Sequence, residues 1–275
     1  MLRRVSSILL VLLFCLQAVA LAVPSVPAIS AEASVLIDAK TGKVLFGKEQ
    51  HKVMYPASTT KMMTLLLALE KGNLSSTVIV SPRAARCEES SLGLQAGDQL
   101  SLRQMVTGMM VVSGNDAAEA VAEHVGGSIE GFAAMMNEKA QQLGLENTHF
   151  SNPHGLPDPV NHYSTAMDLA TIAAYGLKNP DFARIVSLRE YDFTFNNRPG
   201  VHHVVTTNRF LKTFPGATGV KTGYTEAAGD CLVASAKRGN VELIAVLLND
   251  DERWEDAANL MEYGFKVMAE ADTDQ

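Results

Sequence analysis

Tryptophan occurs once and cysteine three times in 275 residues, and aromatic residues make up only 6% of the chain. Three cysteines are too few for a disulfide-stapled small scaffold or a four-thiolate zinc ribbon. Positive charge is also scarce. With 23 Lys+Arg against 30 Asp+Glu, the formal charge is −7, which gives no electrostatic footprint for a polyphosphate backbone, so no nucleic acid partner is expected. None of the seven histidines, His124, His202 and His203 among them, stands with a carboxylate in His-Glu-x-x-His spacing, and no metal or other cofactor is expected. The chain has no internal repeat and no low-complexity linker. What remains is 47% hydrophobic and 19% charged, an ordinary globular composition in a length that suits one large domain or two modest ones.

The N-terminus reads differently from the rest. Arg3 and Arg4 precede the apolar run Ile8 to Leu16, and small residues follow at Ala18, Ala20 and Ala22. This is the layout of a secretory signal peptide, expected over residues 1–22 with cleavage between Ala20 and Ala31. The run is short of the roughly 20 apolar residues a bilayer-spanning helix needs. Phe14 is bulky where lipoprotein processing at Cys15 would require a small residue, so no lipid anchor is expected. The expected product is an exported, acidic protein that is secreted, periplasmic or associated with the cell wall. It retains Cys87 and Cys231, which an oxidising location would allow to pair, and which equally suit two separate buried thiols.

Local patterns place the elements. Ala33–Ile37 and Val44–Phe46 are β-prone runs around the turn-forming Asp38-Ala-Lys-Thr-Gly42, an opening hairpin. Met62, Leu65, Leu66 and Leu69 recur at helical spacing between Ser58 and Lys71, and Gly72 follows where a helix would stop. Ser101-Leu-Arg-Gln104 has capping-box spacing ahead of an apolar run that ends at Ser113. Helices are also expected over Ala117–Val125, Ile129–Leu143 and Ala166–Leu177. Tyr191–Phe195, His203–Thr207, Gly219–Thr225, Cys231–Ala236 and Leu243–Leu248 are strand-like, and Arg253–Ala269 is an amphipathic helix. The order implies an α/β fold, an antiparallel sheet flanked by helices with a mostly helical subdomain inserted over about 65–180.

Three short constellations carry chemistry. In Ser58-Thr-Thr-Lys61 the serine and lysine share a helix face, so a lysine kept neutral by burial can take the serine proton. Either residue alone is equally an N-cap or a solvated cation. Ser113-Gly114-Asn115 lies between two helices, and Lys221-Thr222-Gly223 lies in a strand that continues into Tyr224. Their ordered occurrence matches the parts of one penicillin-recognising serine acyltransferase site.

The chain thereby resembles the D-alanyl-D-alanine carboxypeptidases of the low-molecular-mass penicillin-binding class, serine peptidase family S11. The resemblance runs in order through Ala57-Ser-Thr-Thr-Lys-Met62, Ser113-Gly-Asn-Asp-Ala117, Leu143-Gly-Leu-Glu-Asn-Thr-His-Phe150, Asn152-Pro-His-Gly-Leu156, His162-Tyr-Ser-Thr-Ala-Met-Asp168 and Gly219-Val-Lys-Thr-Gly-Tyr-Thr225. It implies a β-lactamase/transpeptidase-like fold in a catalytic domain over 23–275. It also implies hydrolysis of the terminal D-alanine from peptidoglycan stem pentapeptides, with β-lactam antibiotics as acylating inhibitors. Carried over residue by residue, Ser58 is the nucleophile and Lys61 its base, while the main-chain N–H groups of Ser58 and Tyr224 hold the oxyanion. Ser113 and Lys221 pass a proton to the leaving amine. Asn115 binds the acyl-side amide, Thr222 and Arg253 the terminal carboxylate, and Gly223 lets the substrate lie close to the strand. His154 and Asp168 match positions that organise the site from behind.

Two departures stand out: Tyr224 replaces a histidine that many members carry, and the chain stops where many continue into a β-rich domain and a membrane-binding helix. Neither that domain nor a C-terminal membrane anchor is therefore expected. A β-lactamase would need a deacylating glutamate, and no glutamate-x-x-leucine-asparagine segment lies between Asn115 and Lys221. A transpeptidase shares the same acylation step. A catalytically silent wall-binding module would not need both Ser58 and Lys61.

Overall fold

The computed structural model describes residues 25–273, so the signal-peptide reading of residues 1–22 lies outside the described residues. Strands β1 (Ala33–Asp38) and β2 (Val44–Lys48) form the opening hairpin. Its turn is closed by the Asp38 carboxylate, which accepts from the Thr41 amide at 2.7 Å. The chain then builds a helical lobe and returns as β7 (Ala217–Thr225), β8 (Gly229–Arg238) and β9 (Val241–Leu248). These five strands make one sheet in the order β2-β1-β9-β8-β7, antiparallel throughout, with β1 docked against β9. The arrangement leaves β7 as an edge.

Both faces of this sheet are covered, and strand periodicity sorts the side chains between them. Ile244, Val246 and Leu248 of β9 join Val35 and Ile37 of β1 in the larger core. That core also takes in α1 (Lys61–Lys71) and α5 (Ala166–Leu177). The alternate residues Leu243, Ala245 and Leu247, with Leu36, face Ala257, Leu260 and Met261 of the last helix, Arg253–Thr273. Burial on both faces explains why β9 reads as a continuous apolar run instead of an alternating one.

The helical lobe holds α2 (Leu102–Val112), α3 (Asn115–Gly126), α4 (Ile129–Gln142) and α6 (Pro180–Val186). The capping box on α2 is present, with the Ser101 hydroxyl accepting from the Gln104 amide and the Gln104 side chain accepting from the Ser101 amide. Helix α6 has no counterpart among the sequence-based expectations. Asn179 caps it and Pro180 opens it, but seven residues are too few to show a helical period.

The sheet also departs from expectation. Strands β5 (Glu190–Thr194) and β6 (Val201–Val205) pair only with each other, as β3 (Thr77–Ile79) and β4 (Gln99–Ser101) do. The β5–β6 hairpin leaves most of its side chains exposed or half-buried, too little apolar surface for a central strand. Cys87 and Cys231 are both free thiols, which settles the alternative left open above. No helix among the described residues is long and apolar enough to cross a membrane.

Candidate active site

Ser58 does not sit on the α-helix itself. It lies in a 3-10 turn, Ala57–Thr60, that runs directly into α1, and Lys61 is the first residue of that helix. The turn is held under tension, since Ala57 adopts a left-handed φ of 47°, a conformation that costs a non-glycine residue free energy and marks functional sites. Two neighbours pin it. A Cβ on Gly155, itself at φ +97°, would fall 1.8 Å from the Ala57 carbonyl oxygen. A Cβ on Gly223 would stand 3.0 Å from the Ala57 Cβ and 3.1 Å from the Ser58 nitrogen. Strand β7 and the Asn152–Leu156 loop thus clamp the serine turn from two sides. Gly223 is required by that clamp before any substrate arrives.

The Lys61 amine is fully buried and donates to three oxygens: Ser58 Oγ at 2.9 Å, Asn115 Oδ1 at 2.6 Å and the His154 carbonyl at 2.8 Å. Burial above all, then the neighbouring Lys221 cation, holds this lysine well below the ordinary lysine pKa. A neutral amine has two N–H bonds and one lone pair. Asn115 and His154 can take the two N–H groups, which turns the lone pair toward the Ser58 hydroxyl. The three-oxygen cage thereby suits a group that gains and loses one proton.

Asn115 is itself held at both ends of its backbone and side chain. Its amide donates to the Ser90 carbonyl at 2.7 Å, and its Nδ2 donates to the Glu88 carbonyl at 3.0 Å. Ser113 closes α2 in a left-handed conformation, φ 63°, and accepts from the Lys221 amine at 2.9 Å. That amine also donates to the Thr222 carbonyl at 2.8 Å. Burial, and secondarily the Arg253 cation, brings Lys221 down to about 7, so near neutrality it is present in both protonation states.

Ser58, Ser113, Thr222, Gly223, Tyr224 and Arg253 line one groove of about 410 Å³, with Glu89, Ser90 and Thr207. The edge strand β7 forms one wall and leaves main-chain groups available for an added strand. Thr207, which belongs to none of the three motifs, bonds the Thr222 hydroxyl at 2.9 Å. Arg253 is anchored by the Gly223 carbonyl at 2.9 Å and by Asp230 at 2.8 Å, while its Nε is buried without a hydrogen-bond partner. The guanidinium is fixed in place with donor capacity to spare. Tyr224 is 60% exposed at the rim.

His154 and Asp168 stand apart from the groove lining. His154 acts through its carbonyl on Lys61, and its ring nitrogen Nδ1 accepts from the Leu156 amide at 3.1 Å, which leaves Nε2–H directed at Glu119, 3.6 Å away. Asp168 accepts from Asn147 and Thr148 and fastens a more distant turn. Tertiary folding also gathers Cys87, Glu119 and His154 so that their donor atoms lie within 4.8 Å of one another. No sequence spacing foretells that trio. Arg83 reaches Glu119 at 3.3 Å, and burial together with Glu119 pushes the Cys87 thiol up to about 12. With the histidine tautomer set by Leu156 and the carboxylate facing an arginine, the trio is arranged as a polar network behind Lys61. His162, pushed down to about 3 by burial, accepts from the Ser151 amide and donates to Thr60 within the serine turn.

Comparison with known proteins agrees with this geometry. The family model described as D-alanyl-D-alanine carboxypeptidase matches residues 20–252. The chain is 41% identical over 243 residues to D-alanyl-D-alanine carboxypeptidase DacF of Bacillus subtilis, a match covering 86% of this chain and 62% of that protein. It is 35% identical to DacB2 of Mycobacterium tuberculosis, across 88% of this chain and 84% of the relative. Among solved structures, a D-alanyl-D-alanine carboxypeptidase of M. tuberculosis superposes with a TM-score of 0.83 at 34% identity, covering 89% of this chain and 94% of that one. The DD-transpeptidase of Streptomyces K15 gives 0.84 at 32% identity, covering 88% and 99%. The chain spans less than two thirds of the Bacillus relative's length. It belongs to the D-alanyl-D-alanine carboxypeptidase family, Peptidase S11.

Proposed function

We propose that this protein is a serine D-alanyl-D-alanine carboxypeptidase that trims peptidoglycan stem peptides outside the cytoplasm and is acylated by penicillin. The observation that carries the proposal is the buried Lys61 amine, 2.9 Å from Ser58 Oγ with its other contacts on two carbonyl oxygens. Lys61 takes the Ser58 proton as Oγ bonds to the carbonyl carbon between the two D-alanines. The N–H groups of Ser58 and Tyr224 receive the developing oxyanion. Collapse breaks the C–N bond, and the leaving nitrogen receives a proton from Lys221 through the Ser113 hydroxyl, a route supported by the 2.9 Å contact between them. Water then attacks the Ser58 ester, its proton passing through Ser113 to the neutral Lys221, while Lys61 returns its proton to Oγ as the Oγ–C bond breaks and the shortened peptide leaves. Thr222 and Arg253 hold the terminal carboxylate during acylation, and Asn115 orients the acyl side. The chemistry uses side chains and main-chain dipoles of this chain alone.

Intact mass measurement after incubation with benzylpenicillin, peptide mapping, and D-alanine release from diacetyl-L-lysyl-D-alanyl-D-alanine test the proposal. A persistent adduct on Ser58 with D-alanine release is expected, and Ser58→Ala should lose both. Release without an adduct, or an adduct elsewhere, overturns the assignment of Ser58. Rapid penicillin hydrolysis would mark a β-lactamase. Transfer of the acyl group to an added amine in preference to water would mark a transpeptidase, the activity named for the Streptomyces K15 neighbour.

A further inference from the structure

One acidic side chain in the groove has no assigned place in the acylation step beyond a minor pull on the Lys61 charge. Glu89 lines the groove alongside Ser58, Ser90 and Ser113 and is exposed. Its carboxylate makes no hydrogen bond or ion pair among the described residues. Its position is nevertheless fixed, because the two residues flanking it both bond Asn115: Glu88 through its carbonyl to Nδ2, and Ser90 through its carbonyl to the main-chain N–H. Glu89 itself adopts φ 70°, a left-handed conformation that glycine reaches with far less strain. A carboxylate is thus kept at a position where the backbone would favour having no side chain.

The groove lining carries a cation and an anion, each beside a different part of the proposed substrate site. Arg253 lies at the β7 side, where Thr222 and Gly223 would receive the terminal carboxylate. Glu89 lines the same groove between the two residues whose carbonyls hold Asn115, the asparagine that would orient the peptide upstream of the scissile bond. A substrate matching this pair carries an anion at its C-terminus and a cation on the residue before D-alanyl-D-alanine.

We propose that Glu89 forms a subsite for the side-chain ammonium of that residue, so that the enzyme prefers stem peptides whose third residue is a diamino acid with a free amine. The subsite rests on the reading of Ser58 as the nucleophile for D-alanyl-D-alanine peptides. Glu89 makes no hydrogen bond to Ser58 or Lys61, and its minor pull on the Lys61 charge acts alike on every substrate, so it selects among peptides that all react in the same way.

The test compares kcat/KM for Nα-acetyl-L-lysyl-D-alanyl-D-alanine, which keeps the side-chain amine, with the Nα,Nε-diacetyl peptide, which lacks its charge. The wild-type protein should favour the free amine by about threefold, the range of a partly exposed ion pair, and raised salt should reduce the preference. Glu89→Gln should bring the ratio close to one. Glu138→Gln, exposed on α4 and outside the groove lining, should keep the wild-type ratio and so control for net charge. Equal use of both peptides by the wild-type protein, or the same ratio in Glu89→Gln as in wild type, overturns the subsite. Penicillin acylation of Glu89→Gln reports separately on whether the serine site is assembled. If neither peptide is cleaved by any form, the parent reading of the reaction fails first and the subsite falls with it.

Discussion

Replacing Lys221 with methionine should make the protein more stable while removing its activity. Lys221 is fully buried and its pKa falls from 10.5 to about 7, chiefly through burial. The unfolded chain therefore binds more protons than the folded one between those two values. Stability must rise with pH across that window, and below it the full penalty applies. Near pH 7 the shift corresponds to about 4 kcal/mol of lost stability, and near pH 9 to about 2 kcal/mol. Methionine approximates the length of the side chain without the charge, so it relieves this penalty. It also forfeits the bonds to Ser113 Oγ and the Thr222 carbonyl, at about 1 kcal/mol each. The balance is a variant about 2 kcal/mol more stable than wild type near pH 7 and close to equal near pH 9. Urea denaturation of both proteins at the two pH values measures the difference; the burial of Lys61 is common to both, and its release from the Lys221 cation can only add stability to the variant as pH falls. A variant less stable than wild type near neutrality, or a difference that does not shrink with rising pH, would refute the claim that this lysine is buried at a cost for function.

Asn115→Asp would place a carboxylate where Oδ1 now lies 2.6 Å from the Lys61 amine, favouring the protonated lysine by about one to three pKa units. The pH profile of benzylpenicillin acylation should then move to the alkaline side, since each pKa unit is a tenfold change in base population wherever the lysine is mostly protonated. A profile superimposable on wild type in stopped-flow measurements would remove Asn115 from the control of Lys61. Gly223→Ala would press a methyl group against Ala57 and Ser58 at 3.0 and 3.1 Å, an overpacking cost of about 1–3 kcal/mol borne by the serine turn. Both the melting temperature and the acylation rate should fall; wild-type values for both would show that the turn is not clamped by β7.

The opening hairpin, the capping box before α2, helix α5 and the strands β8 and β9 were legible in the sequence because each depends on a local period or on cap chemistry. Helix α6 escaped because it is short and begun by proline rather than revealed by periodicity. The separation of β5–β6 from the main sheet escaped for a different reason. A strand-like run gives no sign of its partner, and these strands pair with each other because their faces are too exposed to enter a central position.

The chemistry divides along the same line. The residue types in Ser58-Thr-Thr-Lys61, Ser113-Gly-Asn115 and Lys221-Thr-Gly223 pointed to the kind of reaction proposed, because a candidate nucleophile and base one turn apart depend only on local geometry. Tertiary structure alone decided the protonation of that site. The three constellations lie far apart in sequence, and only folding surrounds Lys61 with Asn115 and the His154 carbonyl, buries it, and sets it near Lys221. The same holds for the clamp of Gly155 and Gly223 on the serine turn, and for Glu89 beside the two carbonyls that hold Asn115. Charge and strain depend on what surrounds a residue, and those surroundings are assembled from segments whose proximity no local pattern encodes.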